Sequence, residues 1–323
     1  MENIIELKKY YSSKEFLENY IYEGNDLGVE CNENGTTFKL WSPGAESVVL
    51  NLYEAGDGCK AYEQIPMEKA DKGVWCFHSY KDLHKVYYDY LIKRDSKEVL
   101  TADPYAKAAG VNGIRSMAVN LKKTDPKDWG NDKAPKKDKE RVVYELHVKE
   151  FSFSVSGGFP PEYRQKYKAF TCKHTTLNND GIHPTGLDYL KELGVTHIQI
   201  MPMYDYGSVD ETKDYEFNWG YDPVNYNVPE GSYATDAFHG EVRITEMKEM
   251  IQSIHEAGFG VIMDVVYNHT YSLDSWFQRT LPWYFYRQCV HRKWRLLQGM
   301  SRFQYDRERY YVDNRLSVPR PQW

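Results

Sequence analysis

Residues 259–270, FGVIMDVVYNHT, hold a short apolar run, Val261 to Val266, set off by Gly258 and Gly260 and closed by a polar cluster. A run so short and so rich in β-branched residues predicts a strand buried on both faces, as in a parallel sheet. Asp264 falls inside that run, where a carboxylate is costly unless it is paired or hydrogen-bonded. Asn268 and His269 follow at the strand's C-terminal end, the end at which open α/β sheets and (β/α) barrels build their sites. Singly, these residues also fit a solvent-facing turn and a satisfied core carboxylate. Together on one strand end they mark a candidate site.

Upstream, the same grammar repeats. Residues 142–148 read as a strand on which Glu145 and His147 share a face. A polar loop, 157–180, precedes a T-x-x-D start signal from Thr185 to Asp188. The helix it opens runs through Leu187, Leu190 and Leu193 and stops at Gly194. Residues 196–202 form a second strand, 203–243 a second long loop, and a helix with Ile244, Met247, Ile251 and Ile254 on one stripe stops at Gly258. The order is βαβαβ, with right-handed crossovers.

Residues 27–125 are different: short alternating strands, such as those around Phe38–Leu40, Val48–Leu52, Val74–Phe77 and Tyr87–Ile92, recur between Gly, Pro and Asp turns. That spacing predicts a β-sandwich. Trp41 and Trp75 fit either sugar-stacking platforms or core aromatics. Residues 1–26 read as an N-terminal arm, and the charged, aperiodic stretch 126–141 as a linker.

The composition narrows the class. With 323 residues the chain can hold two cores. A formal charge of −6 argues against a nucleic-acid surface. No run approaches the length of a membrane span, and the N-terminus lacks the apolar core of a signal peptide. Five widely spaced Cys without a C-x-x-C pair point to a reducing, cytoplasmic setting, with neither a zinc site nor a disulfide framework. Aromatics make up 15% of residues, including 28 Tyr and 8 Trp, which suits stacking on sugar rings as well as it suits an aromatic core.

The second long loop carries FNWGYDPVNY (217–226) and PEGSY (229–233). Aromatic faces beside Asn, Asp and His are what a pyranose ring requires. FNWGYDP resembles the YNWGYDP signature of type I pullulanases, debranching enzymes of the α-amylase superfamily of glycoside hydrolases. DVVYNH (264–269) resembles that superfamily's third-strand region, and YELHVKEFS (144–152) the first barrel strand. LWSP (40–43) and ADPYA (102–106) resemble the glycan-binding immunoglobulin-like module of the same enzymes. Phe217 departs from the signature's Tyr and loses one hydroxyl.

The resemblance implies a fold: an immunoglobulin-like β-sandwich followed by an incomplete TIM (β/α)8 barrel of three strands, residues 142–288. It implies hydrolysis of α-1,6-glucosidic branch points in pullulan, glycogen or limit dextrins by a retaining mechanism. The alternatives are a non-catalytic α-glucan-binding protein, or a piece of another α-amylase-superfamily enzyme that debranches or branches glycogen. Tyr221 would stack on the sugar beside the scissile bond, with Trp219 and Asp222 in the same segment. His269 would bond that sugar's hydroxyls; Asp264 and Asn268 would brace the site, Asn268 through a neighbouring loop or ion. No cofactor is implied, a structural calcium ion being the one allowance. The partner implied is an α-glucan, with neither nucleic acid nor membrane.

The nucleophilic Asp, the acid/base Glu and the stabilising Asp of such enzymes belong to later strands, so no catalytic residue is assigned. After Gln288 the resemblance ends and the composition changes. Residues 289–323 hold seven of the 14 Arg and only one Lys, and their formal charge is +5 against −11 before them. A reading-frame change near codon 288 explains the basic tail and an early stop, and three unclosed strands would leave a poorly packed, inactive barrel fragment. Sequencing the gene across that codon tests this: a shifted frame should encode an R-x-D strand, and three unrelated frames would overturn it.

Overall fold

The computed structural model describes residues 2–136, 140–287 and 311–312. The basic tail, 289–323, thus lies outside the described residues apart from Tyr311 and Val312.

Nine strands build the N-terminal module: β1 (Gly28–Asn32), β2 (Gly35–Trp41), β3 (Ser47–Tyr53), β4 (Glu63–Pro66), β5 (Glu68–Lys69), β6 (Val74–Ser79), β7 (Tyr87–Arg94), β8 (Lys97–Thr101) and β9 (Ser116–Met117). They form two antiparallel sheets, β1-β2-β6-β5 and β4-β3-β7-β8, with β9 added to β7. Alternation puts one row of each strand inside. Phe38, Leu40, Leu50, Tyr88 and Ile92 meet there with no exposure. Trp41 and Trp75 are buried in this architecture. The Trp41 indole donates to the Tyr20 and Lys72 carbonyls, both at 3.0 Å. Neither is a sugar platform, because the ring faces are already covered.

The arm is two helices, α1 (Glu2–Tyr11) and α2 (Lys14–Tyr20), the second capped by the Ser13 hydroxyl. Tyr11, Phe16 and Tyr20 pack with Trp41 and Val74 of the sandwich and with Phe277, Leu281 and Phe285. Those last residues lie on and after α6 (Trp276–Thr280). The Thr280 carbonyl accepts from Ser42 (2.8 Å) and Arg94 (3.0 Å), so the segment beyond the third parallel strand is tied back to the sandwich.

The second module contains β10 (Val143–Leu146), α3 (Val148–Phe151), α4 (Gly186–Glu192), β11 (His197–Ile200), the hairpin β12 (Tyr204–Tyr206) and β13 (Pro223–Pro229), α5 (Gly240–Glu256) and β14 (Gly260–Met263). Strands β10, β11 and β14 are parallel and adjacent in that order. The register aligns Leu146, Ile200 and Met263 in one row, and Glu145, Gln199 and Ile262 in the next. Leu146, Ile198 and Ile200 pack with Leu187 and Leu190 of α4 and with Met247, Met250 and Ile254 of α5. The opposite face is partly exposed and polar: Gln199 donates to Glu145 at 3.0 Å. No fourth strand pairs β10 or β14 among the described residues. The core aliphatics therefore face the helices and keep their partners, and a closed barrel wall is not needed to bury them.

Several local readings change. The first strand ends at Leu146, because the His147 imidazole accepts the Lys149 N–H (3.2 Å) and caps α3. Glu145 and His147 consequently share no strand face. The third strand ends at Met263, with Val261 to Met263 half-buried, so it is not covered on both faces and Asp264 stands just beyond it. Thr185 does not cap α4: its hydroxyl donates to the Gly157 carbonyl (2.6 Å), and Asp188 accepts from the His174 N–H. Within the first long loop, Tyr167 and Phe170 are core residues.

The second long loop folds around Arg243, which has no exposed side-chain surface. Its guanidinium donates to Glu211 (2.8 and 3.0 Å), to Asp205 (3.4 Å) and to the Gly110, Pro229 and Ala237 carbonyls. Glu211 accepts the Asn112 N–H of the sandwich, and Asn112 accepts the Glu211 N–H. Burial, then the Glu211 charge, raises the Glu230 carboxyl from 4.5 to about 7. A pKa raised in the fold favours folding in acid, and that contribution fades as pH rises from 4.5 through about 7. Arg243→Met should therefore cost about 3–5 kcal/mol in urea unfolding, more at about pH 8 than at about pH 5. Equal losses at both pH values would show that the carboxylates do not depend on this cation.

Candidate functional site

The residues singled out from the sequence meet where the parallel strands end. Between β12 and β13 the chain turns at Asn218–Tyr221. The Asn218 side chain accepts the Gly220 N–H (2.9 Å) and donates to Asp222 and to the Gly207 carbonyl (both 3.2 Å). Gly220 has φ of +87°, and a Cβ there would lie 2.5 Å from the Pro202 carbonyl oxygen. Only glycine fits such a position. The turn presents Trp219, 62% exposed, and Tyr221, 38% exposed.

Tyr221 is fastened at both ends. Its hydroxyl donates to Asp264 at 2.8 Å, and its carbonyl accepts from His269 Nε2 at 2.7 Å. Burial, then the bond to Asp264, pushes its phenol up to about 12, so it remains a donor at neutral pH. The Tyr226 hydroxyl holds the His269 carbonyl at 2.5 Å. Asp264 itself donates its N–H to the Ile200 carbonyl (3.2 Å), which extends the sheet's pairing by one residue. Tyr221, Asp264 and His269 are thus brought together, and Asp222 acts inside the turn. Asn268 is exposed and makes no hydrogen bond among the described residues.

The sequence reading missed His147, Lys149, Tyr233 and Arg243, all buried. His147 Nε2 is shared between the Asn218 carbonyl (2.9 Å) and the Tyr233 hydroxyl (2.8 Å). Burial holds its pKa below the usual imidazole value. The signal available was HVK at the end of the strand predicted over 142–148, an ionisable pair flanking Val148 where apolar residues would ordinarily continue the run.

A metal is tested by the acid cluster Asp205, Glu211 and Glu230, whose ligand atoms lie within 4.8 Å of one another. Arg243 already supplies the cation there. A divalent ion beside a buried guanidinium would be repelled, so these residues do not fit the calcium ion allowed by the resemblance.

Residues 26–106 match carbohydrate-binding module 48 (isoamylase N-terminal domain), and residues 177–313 match the alpha amylase catalytic domain. The chain thus carries a carbohydrate-binding module 48 followed by part of an alpha amylase catalytic domain. The catalytic-domain match extends beyond Gln288, where the motif resemblance was read as ending. The chain is similar to the pullulanase of Bacillus subtilis (strain 168), 36% identical over 275 residues, covering 84% of this chain and 37% of that protein. Pullulanase 1, chloroplastic, of Arabidopsis thaliana is 30% identical over 322 residues, covering 84% and 32%. The solved pullulanase of Paenibacillus barengoltzii in complex with maltohexaose and alpha-cyclodextrin superposes with a TM-score of 0.81 at 40% identity, covering 86% of this chain and 44% of that one. The chain thus spans well under half the length of these relatives.

The turn gives a direct test. Gly220→Ala should destabilise the full chain by about 1–3 kcal/mol in urea unfolding. A variant indistinguishable from the parent would show that the turn does not need its left-handed residue.

Proposed function

We propose that this chain is the glucan-binding front of a pullulanase-type hydrolase, acting on α-1,6-branched glucans in the cytoplasm, and that it binds glucan without cleaving it. The observation that carries the reading is the exposed Trp219–Tyr221 turn fastened to Asp264 and His269 at the strand ends. A pyranose laid on Tyr221 finds an aromatic face and, at its edge, a carboxylate, an imidazole and the turn's main chain. Such a ring–sugar contact sheds water from the C–H face while its hydroxyls keep partners.

Cleavage with retention needs an acid and a nucleophile about 5–5.5 Å apart across the bond. At this end of the sheet, Asp264 accepts from Tyr221 and Asp222 accepts within the turn. Both carboxylates therefore serve positioning, and the reaction's own pair is assigned to strands that follow the third. The match of residues 26–106 to a carbohydrate-binding module supports a second glucan contact on the sandwich. Its open aromatic faces are Tyr62 and Tyr80, 51% and 89% exposed. The widely spaced cysteines support the cytoplasmic setting.

Affinity electrophoresis of the 323-residue chain in pullulan gels tests the binding. Retardation is expected, reduced about tenfold in affinity by Tyr221→Ala. Reducing-sugar release from pullulan should not exceed that of a boiled control. Migration unaffected by pullulan would remove the reading, and turnover would show that catalytic carboxylates have been misplaced.

A further inference from the structure

Lys149 is 2% exposed, yet among the described residues it forms no ion pair. Its ammonium donates to a main-chain carbonyl, that of Glu216, at 2.5 Å. Burying a cation with so little compensation is costly, and burial does lower the Lys149 pKa. Two residues further on, the Asn218 carbonyl accepts from His147. The His147 Nδ1 accepts the Lys149 N–H, which leaves the ring proton on Nε2, aimed at that carbonyl. Between the two gripped carbonyls sits Phe217, its ring 4.6 Å from the imidazole. Lys166 adds a third hold, pairing with Asp214 at 2.8 Å.

The consequence is an alternation along residues 215–219. The Glu216 and Asn218 carbonyls are held from beneath, while Tyr215, Phe217 and Trp219 are 81%, 46% and 62% exposed. Three aromatic side chains at every second residue, leading into Tyr221, are an unusual thing to leave in water. The hydrophobic effect would fold them down unless the main chain beneath them were fixed. An isolated exposed aromatic needs no explanation, but three within five residues do.

We infer that Lys149 and His147 are positioning residues that hold the 214–219 main chain so that Tyr215, Phe217 and Trp219 form an aromatic row for further sugar units of a glucan chain lying on Tyr221. The row rests on the glucan-binding reading above and extends it: it names which residues receive the part of the chain beyond the ring on Tyr221, and what keeps them in place. A longer maltooligosaccharide therefore gains contacts that a short one does not reach.

The test uses the full-length chain and two probes, maltotriose and maltohexaose, with hydrogen exchange as a readout that needs no ligand. The wild type should bind maltohexaose about tenfold tighter than maltotriose. Tyr215→Ala should remove most of that preference and leave maltotriose binding unchanged. Lys149→Met should speed exchange across residues 213–221 and lose the preference, with the thermal midpoint of the sandwich unmoved. Lys149→Arg, which keeps a donor, should restore both. Unchanged exchange in Lys149→Met, or an equal length preference in Tyr215→Ala, overturns the inference. A wild type that binds neither sugar would sink the glucan-binding reading instead, with exchange in Lys149→Met still deciding whether Lys149 holds the segment.

Discussion

A single guanidinium, with no exposed surface, stands among three buried carboxylates, and the arrangement of both modules depends on it. Arg243 opens the helix that covers the parallel sheet, yet its contacts reach Gly110 in the sandwich and Asp205, Glu211 and Pro229 around the hairpin. In a low-dielectric interior, unpaired carboxylates would drive the hairpin outward. Because Arg243 holds them, the hairpin lies against the sheet's C-terminal end. The Asn218–Tyr221 turn at its tip is thereby delivered to Asp264 and His269. Geometry at the candidate site is thus set by a charge buried well inside.

The grip on the turn from the other side has the same character. His147 and Lys149 follow the first strand, not the third, so the Trp219–Tyr221 segment is clamped between strand ends that are far apart in sequence. Neither clamp uses an exposed ion pair, the weakest kind of link. His147 and Lys149 are each buried to 2% exposure or less against a carbonyl. A carbonyl fixes main-chain direction whatever the side chain above it, which leaves the aromatic identities at 215, 217 and 219 open to vary.

The β-sandwich and the βαβαβ order were legible from local pattern, because alternation and helical stripes are local. The strand around Ser47–Tyr53 and the stripe Ile244, Met247, Ile251, Ile254 are instances where period alone sufficed. Boundaries failed where a side chain competed with the strand ladder. His147 turned out to cap a helix, and Asp264 marked a strand end where it was read as interior. The long segment 203–243 read as loop because β12 has only three residues, β13 is bounded by prolines, and their irregular pairing is stabilised by Arg243, a partner no periodicity can announce. Asp264 and His269 were found from their place at a strand end and Tyr221 through motif resemblance; the bonds Tyr221 makes to both follow from register across the sheet, which only the fold supplies.

The two-faced parallel sheet also bears on how such a chain is made. Its apolar row meets α4 and α5, elements encoded between the strands themselves, so the core of this half is assembled from residues 143–263 without waiting for anything later. Ribosomes release a chain from its N-terminus at about 5–20 residues per second, slow compared with helix and hairpin formation. A nascent polypeptide of this kind can bury its aliphatic side chains while the remainder is still untranslated. The polar face, with Gln199 bonded to Glu145, meanwhile tolerates water. Sequential synthesis and layered burial are matched here, and among the described residues the outer edges of β10 and β14 carry no further strand.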